Sequence, residues 1–216
     1  NFRIKTVGSP QLDELKFINN DKKKQKIFSD LNLENINKYI LVVYHSVTEE
    51  FYNTQKNFNI FLDSLKKISL PKVWIMPNND AGSSIIKNDI LKKRENDIYI
   101  FDNLSREKYL YLLKNASSIV GNSSSGIIEA PTFKVPCVNI GRRQNKRLKA
   151  INVIDVDTHD KNKIVRAIEK SISKKFKEKL KYLINPYGNG KSSQKIVDIL
   201  TKTKIDKELL FKEITY

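Results

Sequence analysis

Ser123, Ser124 and Ser125, with Gly126 behind them and Glu129 a turn further on, have the residue types and spacing to hold an anion that carries a sugar. An apolar run, Ser118-Ile119-Val120, stops at Gly121-Asn122 just before the serines. Ile127-Ile128-Glu129-Ala130 reads as a first helical turn, and Val135 to Ile140 as the strand after it. A helix leaves its first amides unpaired and carries partial positive charge there, so a strand, a small-residue loop and a helix aim donors at a phosphate or diphosphate. The serine hydroxyls add donors, and Glu129 is placed to accept from sugar hydroxyls. Arg142, Arg143 and Arg147 follow the next strand and reach the same anion with forked contacts. The same residues also fit a capped helix beside a solvated basic loop. The elements around them decide between the two.

Those elements alternate. Tyr39 to Tyr44 is a continuous β-rich apolar run, as expected of a strand buried on both faces, and it delivers His45 to its carboxyl end. Phe51 to Ile68 has helical apolar spacing, Val73 to Met76 is the next strand, and Pro77 to Gly82 halts it. Ser83 to Arg94 reads as helix, Ile98 to Phe101 as strand, and Ser105 to Lys114 as helix with Ser105 as N-cap. After the serine loop come Asn152 to Val156 as a last strand and helices at Lys161 to Lys170, Phe176 to Leu183 and Ser192 to Leu200. Phe2 to Val7 reads as the end of a strand, Gln11 onward as helix, and Asp21 to Lys26 as a Lys-rich loop. Strands alternating with helices argue an α/β fold, a Rossmann-like parallel sheet with helices on both faces. Ligands of such sheets bind beyond the carboxyl ends of the strands. His45, Asn78 and Asp80, Asp102-Asn103, the serine loop and Arg142-Arg143 each follow a strand. That convergence favours a phosphate-linked small molecule.

Composition narrows the classes. The chain has 216 residues and a net charge of +16, 40 basic against 24 acidic. The excess is mostly lysine spread over helix faces such as Ser171 to Lys181, without arginine and aromatic interleaving, so no specific nucleic-acid site is expected. No apolar stretch approaches the roughly 20 residues that span a membrane. Cys137 is the single cysteine, set in an apolar strand, which fits a core residue in a reducing cytoplasm. One cysteine and two histidines, His45 and His159, make no metal constellation, and His159 reads as an exposed loop residue. Asn1 is not an initiator methionine and nothing like a signal peptide opens the chain, so a piece of a longer protein is expected.

The stretch Gly121 to Arg147, GNSSSGIIEAPTFKVPCVNIGRRQNKR, resembles the nucleotide-binding segment of the UDP-N-acetylglucosamine 2-epimerases, above all their hydrolysing branch, which makes N-acetylmannosamine for sialic-acid-type sugars. Gly8 to Asp13 resembles the family's exit from its first domain, Tyr44 to Thr48 its histidine motif, Pro77 to Gly82 its Pro-Asn-x-Asp-x-Gly turn, and Asn185 to Gly190 its Asn-Pro-Tyr-Gly-x-Gly. The resemblance implies the C-terminal half of a GT-B-like two-domain enzyme. Residues 1–20 are then the end of the N-terminal domain and crossover, 21–184 the nucleotide-binding domain, and 185–216 helices packing back toward the other domain. It implies a catalytic His45, as imidazolium beside the departing UDP, and a diphosphate on Ser123 and Ser124, with Asn122, Ser125 and Gly126 in the same loop. It also implies ribose on Glu129, uracil beside Tyr109, Asn78 near the nucleotide and Arg143 at the phosphate, while Asp80 either joins the site or caps a helix. The implied substrate is a UDP-sugar, with no cofactor, no membrane partner and a homo-oligomeric whole protein. The piece alone is expected to be inactive. A GT-B glycosyltransferase, an epimerase of another UDP- or GDP-linked amino sugar, and an inert nucleotide-binding domain stay open.

Overall fold

A computed structural model of the chain describes residues 3–92, 97–157 and 160–211. Six strands form one all-parallel sheet: β1 Ile40–Val43, β2 Lys72–Ile75, β3 Ile98–Phe101, β4 Ser118–Gly121, β5 Cys137–Ile140 and β6 Val153–Val156. Their order is β3-β2-β1-β4-β5-β6. The helices are α1 Asp21–Asp30, α2 Thr54–Leu65, α3 Ser83–Lys92, α4 Arg106–Asn115, α5 Ser125–Ile128, α6 Lys161–Ile172, α7 Lys174–Lys179, α8 Ser192–Lys202 and α9 Lys207–Leu210.

The continuous apolar run of β1 is explained by its two faces. Leu41 and Val43 pack with α1, α4 and α5, whereas Ile40 and Val42 pack with α2, α3 and α6. Side chains alternate along a strand, so a strand covered on both sides is apolar at every position. The second layer is dense in aromatics: Tyr44, Phe58, Phe61 and Trp74 have ring centroids 4.7 to 6.2 Å apart. The edge strand β3 is only half-buried throughout, as an edge should be.

Five local expectations are corrected. Residues 3–9 hold no strand, and Pro10–Leu12 and Leu15–Phe17 are 3-10 turns, each too short for a helix. The Lys-rich stretch at 21–26 is helix: the Asn20 side chain accepts from the Lys23 N–H, and Ile27 and Phe28 bury one face. The helix opening at Phe51 is reached through a 3-10 turn from Thr48 to Asn53. The helix after the serines begins at Ser125 rather than Ile127 and passes into a 3-10 turn at Ala130–Phe133. Ser105 caps α4 as expected, accepting from the Lys108 N–H. His159 lies outside the described residues.

Residues 8–13 and 185–193 are bound to one another. The Ser9 N–H donates to Tyr187 O at 2.7 Å, and the Asp13 carboxylate accepts from the Ser192 and Ser193 N–H groups at 2.9 and 2.6 Å. Asp13 thus supplies the N-terminal cap of α8 from a distant part of the chain. The Ser193 side chain first, and then these two backbone donors, hold the Asp13 carboxyl below its ordinary range. On α8, Val197 and Leu200 stay exposed.

Candidate functional site

The strand order reverses at the junction of β1 and β4. From β1 the chain winds outward through β2 and β3, then returns to pair β4 on the other side of β1. At such a switch point the loops leaving the two central strands diverge and open a crevice. Here those loops begin with His45 and Asn122.

Asn122, only 1% exposed, ties the two loops together. Its Oδ1 accepts from the His45 N–H and its Nδ2 donates to the His45 carbonyl, both at 2.8 Å. Its own N–H donates to Val43 O at 3.1 Å, and its carbonyl accepts from Gln144 Nε2 at 2.9 Å. The strand ends approach so closely that Gly121, at φ +142, has no room for a side chain: a Cβ would strike the Val43 carbonyl. Behind the serines, a Cβ on Gly126 would run into Cys137 Sγ, so the missing side chain lets α5 settle on β5. Cys137 is buried in the core, and its thiol is held above its ordinary pKa range by desolvation.

The loop keeps donors in reserve. The Ser125 N–H donates to Ser123 Oγ at 3.3 Å, and the Gly126 N–H to Ser123 O. Among the described residues the Ser123 and Ser124 N–H groups have no protein acceptor. Arg143 comes from the loop after β5. It reaches Asn122 O at 3.5 Å through Nη1 and Asp80 Oδ2 at 3.5 Å through Nη2. Asp80 is further held by Asn78 Nδ2 at 2.7 Å, while its backbone carbonyl accepts from the Ser83 N–H entering α3. Asp80 therefore faces the arginine with its side chain and the helix with its backbone.

His45 is half-buried, and its Nδ1 accepts from the Asn78 N–H at 3.2 Å. An acceptor Nδ1 leaves the proton on Nε2 and the ring neutral. Burial, and then the neighbouring Arg143 charge, push its pKa down to about 4 against the opposing pull of Asp80. The expected imidazolium is thus replaced by a neutral ring with one N–H to offer. Desolvation and the Arg143 charge together outweigh the single carboxylate.

Glu129, 3% exposed, belongs to a buried chain of bonds. The Tyr109 hydroxyl donates to Ser125 Oγ at 2.6 Å, and Ser125 Oγ donates in turn to Glu129 Oε2. Arg106 Nη2 lies 2.5 Å from Glu129 Oε1. Sequence spacing did not single out Arg106; it follows the Ser105 cap and is the first residue of α4. Beside this loop a cavity of about 630 Å³ is lined by Ser46, Glu50, Asp80, Arg142, Arg143 and Arg147, and the serines and Glu129 do not line it. Arg142 pairs with Glu50 at 3.1 Å. No group of His, Cys, Asp and Glu suited to a metal ion occurs among the described residues. No helix among them is long and apolar enough to cross a membrane.

A family model described as UDP-N-acetylglucosamine 2-epimerase matches residues 1–201. The chain belongs to that family. It is 38% identical over 184 residues to the GDP/UDP-N,N'-diacetylbacillosamine 2-epimerase (hydrolyzing) of Campylobacter jejuni, covering 82% of this chain and 45% of that one. It is 33% identical to the UDP-N,N'-diacetylbacillosamine 2-epimerase (hydrolyzing) of Legionella pneumophila, covering 95% and 53%. The chain spans about half the length of the curated relatives it matches. The fold agrees with the UDP-GlcNAc 2-epimerase of Neisseria meningitidis bound to UDP-GlcNAc, at TM-score 0.72, 17% identity, and 91% and 55% coverage. It agrees equally with the Methanocaldococcus jannaschii enzyme in complex with UDP-GlcNAc and UDP, at TM-score 0.71, 24% identity, and 94% and 56% coverage. The GT-B half-fold expected of an epimerase from this family is therefore present.

Proposed function

We propose that this chain is the nucleotide-binding, C-terminal portion of a hydrolysing 2-epimerase that converts UDP-N-acetylglucosamine and water to N-acetylmannosamine and UDP. The observation that carries the proposal is the meeting, at the strand-order switch point, of two unpaired amides, Arg143 and the Nε2–H of His45. All are donors, and the departing group of this reaction is a diphosphate.

In the reaction, a base takes the proton from C2 of the sugar and that electron pair forms the C1=C2 bond. The C1–O bond breaks, and its electrons leave with UDP. Water then adds to the glucal, hydroxyl at C1 and proton at C2 on the opposite face. In this chain the Ser123 and Ser124 amides and Arg143 hold the diphosphate, and His45 donates from Nε2 as negative charge builds on the leaving oxygen. Donors fixed before departure gain most, because they need not reorganise. Tyr109 borders the uracil ring and Glu129 accepts from the ribose. Asn78 holds the His45 ring, and Asp80 balances Arg143 until phosphate arrives. The base acting at C2 belongs to the other half of the protein, so the chain alone binds nucleotide without turnover.

Two hydrolysing relatives named for N,N'-diacetylbacillosamine support a second substrate, a UDP-linked diacetamido sugar, at the same site. A proton NMR time course on the whole protein with each sugar nucleotide tests both. Release of free N-acetylmannosamine without an acceptor supports the first. Return of a UDP-linked epimer, or turnover only with an acceptor, overturns hydrolysis. Titrating the chain with UDP and GDP tests the nucleotide, and binding of neither refutes the site.

A further inference from the structure

Arg106 is placed where one side chain serves both Glu129 and the segment ahead of α1. Its Nη2 meets Glu129 Oε1 at 2.5 Å and Gln11 O at 3.3 Å, and its Nε meets Glu14 Oε1 at 2.6 Å. The Arg106 side chain is 39% exposed, while the Glu129 side chain it reaches is 5% exposed. A carboxylate so buried needs hydrogen-bonding partners, and a planar guanidinium holds two partners at fixed angles where a lysine's freely rotating ammonium does not.

We infer that Arg106 is a positioning residue: it holds the Glu129 carboxylate oriented for the ribose hydroxyls, and it ties that orientation to residues 11–14. The inference rests on the nucleotide site proposed above. Carboxylate oxygens offer roughly four acceptor positions between them. Arg106 occupies one on Oε1 and Ser125 one on Oε2, which fixes the plane and leaves a lone pair on each oxygen for a vicinal diol. Gln11 Nε2 lies 3.5 Å from Oε1, a loose contact that a ribose hydroxyl displaces. Glu14, on Nε, anchors the other side of the guanidinium, and Gln11 O shares Nη2 with Glu129. Residues 8–13 are themselves bound to 187–193, so the ribose acceptor is braced against two segments far apart in the chain.

The test is the ratio of dissociation constants for 2′,3′-dideoxy-UDP and UDP, measured by calorimetry on the 216-residue chain. In the native chain, hydrogen bonds from the diol to a charged acceptor make this ratio roughly ten- to a hundred-fold. In Arg106→Met the ratio is expected to fall to about two while the dideoxy constant itself moves less than about three-fold, since the phosphates are held elsewhere. Arg106→Lys, charged but unforked, is expected to lie between. Binding of the dideoxy nucleotide shows that each variant is folded. A native ratio retained by Arg106→Met, or equal weakening of both ligands, overturns the positioning role. A ratio near one in the native chain removes the ribose from Glu129 and this role with it, and failure to bind UDP at all removes the nucleotide site.

Discussion

Replacing Asn122 by alanine should destabilise the chain by about 2–4 kcal/mol. The magnitude follows from what the substitution strands. Two hydrogen bonds of 2.8 Å end on the His45 N–H and carbonyl, and the truncated side chain is replaced by nothing that can pair with either. A buried backbone group left unpaired costs about 1–3 kcal/mol. The half-buried His45 recovers part of that from water, which sets the total below the simple sum. Against a typical stability of about 5–15 kcal/mol this is a large fraction. With a urea slope near 2 kcal/mol/M, the midpoint should fall by roughly 1–2 M at unchanged slope. Asn122→Asp keeps an acceptor for the His45 N–H and loses only the donor to its carbonyl, so it should fall about half as far. Equal midpoints for native and alanine chains would refute the claim that this side chain closes the crevice between β1 and β4.

Arg143→Ala should weaken UDP binding by about 1.5–3 kcal/mol, the range for charge-assisted hydrogen bonds, and an unchanged dissociation constant would remove it from the phosphate site. His45 makes the chain acid-sensitive. Its folded pKa of about 4 lies below its ordinary value, so between roughly pH 6.5 and 4 the unfolded chain binds a proton that the folded chain refuses. Its stability contribution is full above that window and is lost as pH falls through it, by about 2–3 kcal/mol after allowing for partial exposure. Urea midpoints at pH 7 and pH 4.5 should converge in His45→Asn relative to the native chain; an identical drop in both would assign the sensitivity elsewhere. In the whole protein, His45→Asn should lower kcat far more than it weakens UDP binding, and equal losses would make it an ordinary ligand contact.

Much of the framework is a local property of the sequence. Tyr39 to Tyr44 is apolar at every position because both faces of β1 are covered, and that pattern needs no tertiary knowledge to read. The polar residues that end each strand, His45, Asn78 and the serines, were legible for the same reason: short-range punctuation marks where a parallel strand stops. Mean polarity misled at 21–26, where four lysines masked the two buried residues Ile27 and Phe28 that follow.

What tertiary structure alone decided is pairing between residues far apart in the chain. Strand order places β4 beside β1, and only then does Asn122 meet His45 across 77 positions and make a crevice of two unrelated loops. Arg106 carries no mark in the sequence, yet the packing of α4 on residues 8–18 brings its guanidinium between Glu14 and Glu129. The charge state of His45 was decided the same way, by burial and by an arginine from beyond β5. Residue types set which bonds can form. Which of them do form depends on a sheet topology that brings together residues too far apart for any local pattern to pair.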